Sequence, residues 1–313
     1  MYDYIIATSS TSDLPRTYLE AHNIPFIPYT YTIGNDLYED DCREETRQKV
    51  YEGMRNGDRL KTSMINEYIY DEFFESLLAQ GKDVVFLDMS QKMSVSYEKS
   101  KIGAKMALEK YPERKLYVMD TLCISGGLGL LVDDERDMEP VLANYEGKKN
   151  EGVDVTFWDR DELLRHEPHV SDKVIACLNF HGFTVDDLNY LKAGGRVSNA
   201  AALVGGMLAI KPVLYVPDGG TLDVAKKVRG RKTAVNSILD SAKADLAEVD
   251  TNGLKVHILQ ADCRADAEYV RDELKKAYPD LGEITITSLG VVIGAHCGPG
   301  LLTVFYLCNS RRP

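Results

Sequence analysis

The sequence predicts an α/β protein built from two domains. The first is expected to contain an N-terminal, mainly parallel sheet with flanking helices, and the second is expected to be a further α/β domain with a mixed or antiparallel sheet. In the first 130 residues, short apolar runs alternate with longer stretches of helical periodicity, which is typical of βαβ units. A charged segment follows from Asp133 to Asp172, and the turn-rich Pro217–Gly220 predicts a hairpin between antiparallel strands.

The apolar runs predict the strands, and the periodic stretches between them predict the helices. In the first part, strands are expected at Tyr4–Ala7, Pro25–Pro28, Val84–Leu87 and Leu116–Met119, and helices near 13–22, 43–56, 66–80 and 94–111. In the second part, strands are expected at Val174–Leu178, Ala209–Leu214, Leu254–Leu259 and Leu301–Tyr306, and helices at 184–191, 198–208, 232–248 and 264–278. We place the boundary in the charged segment, so that residues 1–150 and 151–313 form two domains that each bury a core.

The composition is that of an ordinary globular protein. Of the 313 residues, 44% are apolar and 27% are charged, which favours neither disorder nor a fibrous architecture. The net charge of −12 argues against a general affinity for nucleic acid or anionic membrane, since both are bound through surplus Lys and Arg. The N-terminus lacks a signal-peptide pattern, and no apolar run reaches the roughly 18 residues of a membrane span. We therefore expect a cytoplasmic protein.

Six cysteines are spread along the chain with neither a CxxC pair nor the spacing of metal ligands. This distribution predicts reduced, mostly structural thiols and no metal site.

Hydroxyl-rich segments follow several of the predicted strands, where open α/β sheets place their binding loops. They are Thr8–Pro15, Lys61–Ser63 and Ser90–Ser96. Each of them could cap the helix that follows it, with Ser12 or Asp13 as the cap in the first case. Each could equally offer hydroxyls and backbone N–H groups to an anion or a carboxylate.

The second part contains three further candidates. In Gly194–Ser198, Arg196 is either a surface or hinge residue or a bidentate partner for a carboxylate. Gly294–Gly300 is expected to be a compact turn before the last strand, in which His296 is either a site residue or structural. The basic cluster Lys226–Lys232 is either the solvated start of a helix or a docking patch for a partner or a phosphate.

In their order along the chain, these segments resemble the DegV family. The resemblance rests on a set of segments that includes a Thr-Ser pair before a helix and a serine-rich stretch with Ser94, Tyr97 and Ser100. The segments are Ser10–Pro15, Thr62–Ser63, Ser90–Ser100, Leu191–Ser198, Ile210–Leu214 and Val292–Gly300. The chain departs from the family pattern at Ser9, Met64, Val95 and Gln260.

The resemblance implies a carrier that buries a long-chain fatty acid, such as palmitate or oleate, between its domains, without a cofactor or a catalytic residue. It implies that Thr62 and Ser94 bind the carboxylate and that Ser63, Arg196 and His296 form the polar network around it. Family members known as FakB present their fatty acid to an ATP-dependent fatty-acid kinase. The resemblance therefore also implies a kinase as a partner of this chain, docked at the region of Arg229 and Arg231, with at most transient contact with a membrane surface.

Two enzymatic alternatives compete with the carrier. An acyl hydrolase could use Ser94 as nucleophile and His296 as base, although no Gly-x-Ser-x-Gly elbow surrounds Ser94. A nucleotide-binding protein or kinase would need a phosphate-binding Gly-x-x-x-x-Gly-Lys-Ser/Thr loop, and the sequence contains none. An interaction module that binds no ligand is the remaining alternative.

Overall fold

A computed structural model describes residues 4–133, 179–184, 188–195, 210–217 and 220–306. The elements up to residue 133 are, in chain order, β1 (Tyr4–Ser9), a short 3-10 helix (Ser10–Ser12), α1 (Arg16–Ala21), β2 (Phe26–Ile27), β3 (Thr30–Ile33), β4 (Asp36–Glu39), α2 (Glu44–Arg55), β5 (Leu60–Ser63), α3 (Glu67–Leu78), β6 (Asp83–Asp88), α4 (Ser96–Lys110), β7 (Leu116–Asp120) and α5 (Gly126–Asp133). The later elements are β8 (Asn179–Thr184), α6 (Leu188–Gly194), β9 (Ile210–Tyr215), β10 (Asp223–Arg229), α7 (Arg231–Leu246), β11 (Val256–Gln260), α8 (Arg264–Ala277), β12 (Ile284–Ser288), α9 (Val291–Cys297) and β13 (Leu302–Tyr306).

The N-terminal sheet is parallel, with strand order β2-β1-β6-β7. Helices α3 and α4 pack against each other beside it, and a Cβ at Gly103 of α4 would overlap Tyr70 and the backbone of α3. Glycine is required at this crossing because the two helix backbones approach so closely. The predicted fold class of this part is confirmed.

A separate antiparallel sheet has the order β4-β3-β5 and was not predicted from the sequence. Its strands are only four residues long, too short for a clear alternating pattern. The pairing of Tyr31 with Thr62 nevertheless fixes a residue of the candidate site. In β5, Leu60 and Thr62 are half-buried, whereas Lys61 and Ser63 are exposed, as the two-residue period of a strand requires.

The second sheet is mixed, with strand order β10-β9-β8-β13-β11-β12 and only the β11–β12 pair parallel. Successive side chains along β11 point to opposite faces of the sheet and pack into different hydrophobic clusters. Val256 and Ile258 belong to a hydrophobic cluster with residues of α7 and α8. Leu259, on the other face, belongs to the cluster that contains the N-terminal core. The mixed sheet predicted for the second part is therefore confirmed; the unpredicted β12 carries an Ile-Thr-Ile-Thr alternation that could have revealed it.

Helices α5 and α2 join the two sheets. A Cβ at Gly126 in α5 would overlap Leu259 and Phe305 of the second sheet, so the helix lies almost directly on it. From α2, Arg47 and Tyr51 donate hydrogen bonds to backbone carbonyls between β12 and α9. The larger of the two hydrophobic clusters thus contains residues of both sheets.

Three local predictions are wrong. Neither Ser12 nor Asp13 caps the first helix, which begins at Arg16 directly after Pro15 because the preceding residues form a 3-10 turn. The predicted glycine-rich turn at 294–300 begins inside α9, so His296 lies in the last helical turn. The basic cluster 226–232 is not a helix start as a whole, because its first four residues complete β10 and only Arg231 and Lys232 begin α7.

Several sequence predictions lie outside the described residues. They are the strand at 174–178, the helix at 198–208, Arg196 and the boundary at residue 150. The division into domains 1–150 and 151–313 stays a prediction.

Candidate functional site

A cavity of about 260 Å³ lies between the carboxyl edge of the N-terminal sheet and the second sheet. The segment after β6 and the segment after β7 form one side of it, and α9 with the start of β13 forms the other. Open α/β sheets bind ligands at this edge because the loops that leave parallel strands converge there. The volume far exceeds the roughly 15 Å³ that one water requires.

Most of the lining is apolar. The walls include several buried or half-buried side chains from helices and from the segments next to strands, namely Met89, Met93, Ile124, Leu191, Leu222 and Ile293. Methionine is unbranched and flexible, so Met89 and Met93 can adapt to the shape of an apolar ligand. At the edge, Met64 and Val95 are 53% and 61% exposed, and the cavity opens to solvent beside them.

Part of the cavity lining is polar. Thr62 Oγ1 and His296 Nε2 are 3.0 Å apart, which joins β5 of the first part to α9 of the second. Ser94 lies in the same lining and follows β6. Its Oγ accepts a hydrogen bond from the backbone N–H of Ser96 at 3.1 Å, so the Ser94 hydroxyl proton remains available to an acceptor in the cavity. These hydroxyls are suited to a carboxylate.

The structure brings together Thr62, Ser63, Ser94 and His296 from the sequence prediction, since all four line the cavity. Ser63 lies at its exposed rim. His296 is paired with Thr62, and no hydrogen bond joins it to Ser94, so the arrangement that the acyl hydrolase alternative requires is absent between these two described residues.

The predicted docking residues lie away from the cavity lining. Arg229 is exposed at the end of the edge strand β10. Arg231 instead donates to Asp266 Oδ2 at 2.8 Å and to the carbonyl of Gly300, so it supports the turn before β13.

The hydroxyl-rich segment after β1 does not line this cavity. Asp13 accepts a hydrogen bond from Ser125 Oγ and lies beside the guanidinium of Arg47. Burial raises the pKa of Asp13 to about 7, against the opposing effects of Arg47, Ser125 and the Gly290 N–H group, and Asp40 adds to the rise. This segment therefore belongs to a buried network that joins the two sheets.

Two residues at or near the cavity were not predicted from the sequence. Tyr29 precedes β3 and lines the cavity. Asp88 ends β6, where its carboxyl oxygens accept from the Met89 N–H and from Ser100 Oγ, both at 2.9 Å. Burial raises the pKa of Asp88 to about 7, opposed by these two hydrogen bonds and assisted by Asp120. An aspartate that ends a buried apolar run was the signal available in the sequence.

Among the described residues, no three His, Cys, Asp or Glu side chains are grouped as a metal site would require. The four cysteines in that part of the chain are free thiols. None of the helices in the described ranges has the length and hydropathy needed to cross a membrane.

The fold and the cavity define an α/β protein with two main sheets and, between them, a mainly apolar cavity whose lining includes several hydroxyls and a histidine. The chain belongs to the DegV family, whose model, described as "Uncharacterised protein, DegV family", matches residues 4–139 and 177–309. A DegV domain-containing protein of Clostridium perfringens is 32% identical over 314 residues, which cover all of both chains. The resemblance seen in the sequence is thereby confirmed.

Solved structures show the same fold. A fatty-acid-binding DegV family protein of Thermus thermophilus is 25% identical and superposes with a TM-score of 0.75 over 98% of this chain and 99% of its own. A stearic-acid-binding protein of Eubacterium ventriosum is 24% identical, with a TM-score of 0.77 over 99% of both chains. The second of these supports the fold alone.

Proposed function

We propose that this chain is a cytoplasmic carrier that binds one long-chain fatty acid, such as palmitate or oleate, in the cavity between its sheets. The observation that supports this most is a mainly apolar cavity whose lining also contains the Thr62–His296 pair and Ser94. A fatty acid has the same division, because its tail gains about 0.8 kcal/mol per buried CH₂ while its charged head requires hydrogen-bond donors. The DegV family membership and the fatty-acid-binding relative from Thermus thermophilus agree with this ligand class.

In this proposal, the carboxylate accepts hydrogen bonds from the hydroxyl groups of Ser94 and Thr62. Ser94 donates to it because its oxygen already accepts from the Ser96 N–H. Thr62 donates to it when His296 Nε2 carries a proton, since the imidazole is then the donor in the Thr62–His296 pair. Arg196 completes the polar network in this proposal, together with Ser63 at the rim.

The direct test is mass spectrometry of a solvent extract from protein purified without added lipid. We expect one long-chain fatty acid per chain and an upward thermal shift when palmitate or oleate is added to delipidated protein. An empty extract together with no thermal shift would reject the proposal.

Removing a head-group donor is expected to weaken binding and leave the fold intact. Thr62→Ala or Ser94→Ala should each weaken palmitate binding by about 0.5–3 kcal/mol through the loss of a hydrogen bond to a charged group. Isothermal titration with delipidated protein measures the change. Ser76→Ala removes an exposed hydroxyl on α3 that bonds only to its own helix and serves as the control. Wild-type affinity in both site variants would remove them from the head-group site.

We further propose that the loaded carrier presents its fatty acid to an ATP-dependent fatty-acid kinase through the exposed basic end of β10. Lys226, Lys227 and Arg229 are exposed there on an edge strand. Lysine on an edge strand also discourages pairing with other chains, so the basic charge has a structural explanation as well. A variant with altered charge separates the two roles.

Reversing the charge of Lys227 and Arg229 is expected to spare palmitate binding and to slow acyl-phosphate formation by a purified fatty-acid kinase. The variant would present negative charges to a docking surface of the kinase that is expected to be negative as well. This repulsion chiefly lowers the association rate. The control reverses Lys49 and Lys276, which are equally exposed on α2 and α8. Normal acyl-phosphate formation with the β10 variant would contradict the docking role.

A further inference from the structure

Behind Ser94, the cavity wall contains hydroxyls that the proposed carboxylate site does not use. They belong to Tyr29, Tyr70 and Ser96. Tyr29 is 3% exposed and lines the cavity, and Tyr70 and Ser96 are fully buried behind it. The Tyr29 hydroxyl lies 3.5 Å from Met89 Sδ, a weak acceptor that leaves its proton largely unused.

These hydroxyls lie close together. Burial raises the pKa of Tyr29 well above its ordinary value and Asp88 adds to the rise, while the neighbouring hydroxyls of Ser96, Tyr70 and Ser94 oppose it. The phenol is therefore protonated, and a hydrogen-bond donor, at every pH at which the protein functions. The hydroxyls of Tyr70 and Ser96 are buried and lie beside the Tyr29 hydroxyl, so the three form a small hydroxyl cluster behind the cavity wall.

A buried hydroxyl without a partner costs about 1–3 kcal/mol. The Tyr29 hydroxyl is buried in the wall of a cavity that also contains Ser94, and the acceptor that it reaches is the weakly accepting thioether of Met89. A carboxylate has two oxygens with about four acceptor positions, and Thr62 and Ser94 occupy at most two of them. The Tyr29 hydroxyl can therefore donate to an acceptor position of the carboxylate that Thr62 and Ser94 leave open.

We propose that Tyr29 is a head-group-selecting residue, whose hydroxyl donates a third hydrogen bond to the ligand carboxylate with Tyr70 and Ser96 behind it as supporting hydroxyls. The inference rests on the proposed fatty-acid function and deepens it, because it assigns the preference for an acid over a neutral lipid to a residue outside the Thr62–Ser94 site. Tyr70 and Ser96 orient the Tyr29 hydroxyl and share its hydrogen bonding once a ligand is bound.

The test compares two ligands with the same tail. Affinities for palmitate and for 1-hexadecanol are measured by displacement of a fluorescent fatty acid from wild type, Tyr29→Phe and Tyr18→Phe. Tyr29→Phe keeps the ring and is expected to weaken palmitate binding about 10-fold or more, because the lost bond is to a charged group. Hexadecanol binding should change less than about 3-fold, since the alcohol carries no charge. Tyr18→Phe removes a hydroxyl outside the cavity lining and should match wild type.

The ratio of the two affinities is the deciding readout, because a loss of packing or of active protein weakens both ligands equally. An unchanged acid-to-alcohol ratio in Tyr29→Phe, with wild type binding palmitate, overturns the role of Tyr29 and leaves the carrier function standing. Wild type that binds neither ligand overturns the carrier function itself. Should Tyr29→Phe not fold, Tyr70→Phe takes its place with a smaller expected fall in the ratio, because Tyr70 acts only through Tyr29, and an unchanged ratio there is equally contrary.

Discussion

Replacing Arg47 with methionine is expected to lower the free energy of unfolding by about 3–5 kcal/mol, the range for removing one partner from a buried charged cluster. Arg47 is 1% exposed. Its guanidinium donates to the carbonyls of Asp13, Leu14 and Ser288 at 3.0, 3.2 and 2.7 Å. Burial lowers the pKa of Arg47, but the carboxyls of Asp40 and Asp13 outweigh that effect and the net shift is upward. Methionine fills the space and leaves three carbonyls and two buried carboxyls without their cation.

Chemical denaturation of delipidated protein measures the effect. Lys49→Met, on the exposed face of the same helix, is the matched control and should change stability by less than about 0.5 kcal/mol. The loss should also reach the ligand site, because Arg47 holds the carbonyl of Ser288 just before α9, the helix that carries His296. A variant as stable as the control would show that the two sheets are held together without this cluster.

The Asp88→Asn variant is expected to gain stability relative to wild type as the pH rises from 5 to 8. The pKa of Asp88 is raised to about 7, chiefly by burial. In the unfolded chain this carboxyl titrates near 4. Between these values the folded state binds the extra proton, so stability falls with rising pH by about 1.4 kcal/mol per unit from this group alone. The stabilisation that the protonated Asp88 carboxyl contributes is complete below pH 4 and is lost by the time the pH passes 7.

The measurement is the unfolding free energy of both proteins at pH 5, 6, 7 and 8. The amide that replaces the carboxyl cannot ionise. The unfolding free energy of the variant minus that of wild type should therefore increase by on the order of 2 kcal/mol between pH 5 and pH 8, most of it below pH 7. Asp36→Asn removes a carboxyl from an exposed strand and controls for the loss of one charge. A difference that stays constant with pH would mean that Asp88 is ionised throughout this range in the folded protein.

Much of the fold was predictable because local patterns report it. The alternation of apolar runs with helical periodicity located the three longer parallel strands and helices α2, α3 and α4 to within a few residues. Arg47 shows a local signal that was available and unused. It lies three, four and seven positions before Val50, Tyr51 and Met54, so the helical period places it on the buried face despite its charge.

The candidate site was predictable by residue type and by resemblance, but not by geometry. Thr62 and Ser94 were identified as hydroxyls near strand ends, and both line the cavity. His296 was expected in a loop, and only the structure shows the helix that presents it. Tyr29 was missed because a tyrosine before a short strand is usually a core residue.

The sequence by itself determined the α/β class, the family and the residue types available for a ligand, because these follow from short-range periodicity and from motifs in order. Only the tertiary structure decided which of them meet. Thr62 and His296 are 234 positions apart, and their contact depends on a strand pairing, on α5 lying against the second sheet and on the buried Arg47 cluster. Packing over such distances depends on the shapes and charges of many side chains at once, and no local pattern encodes it.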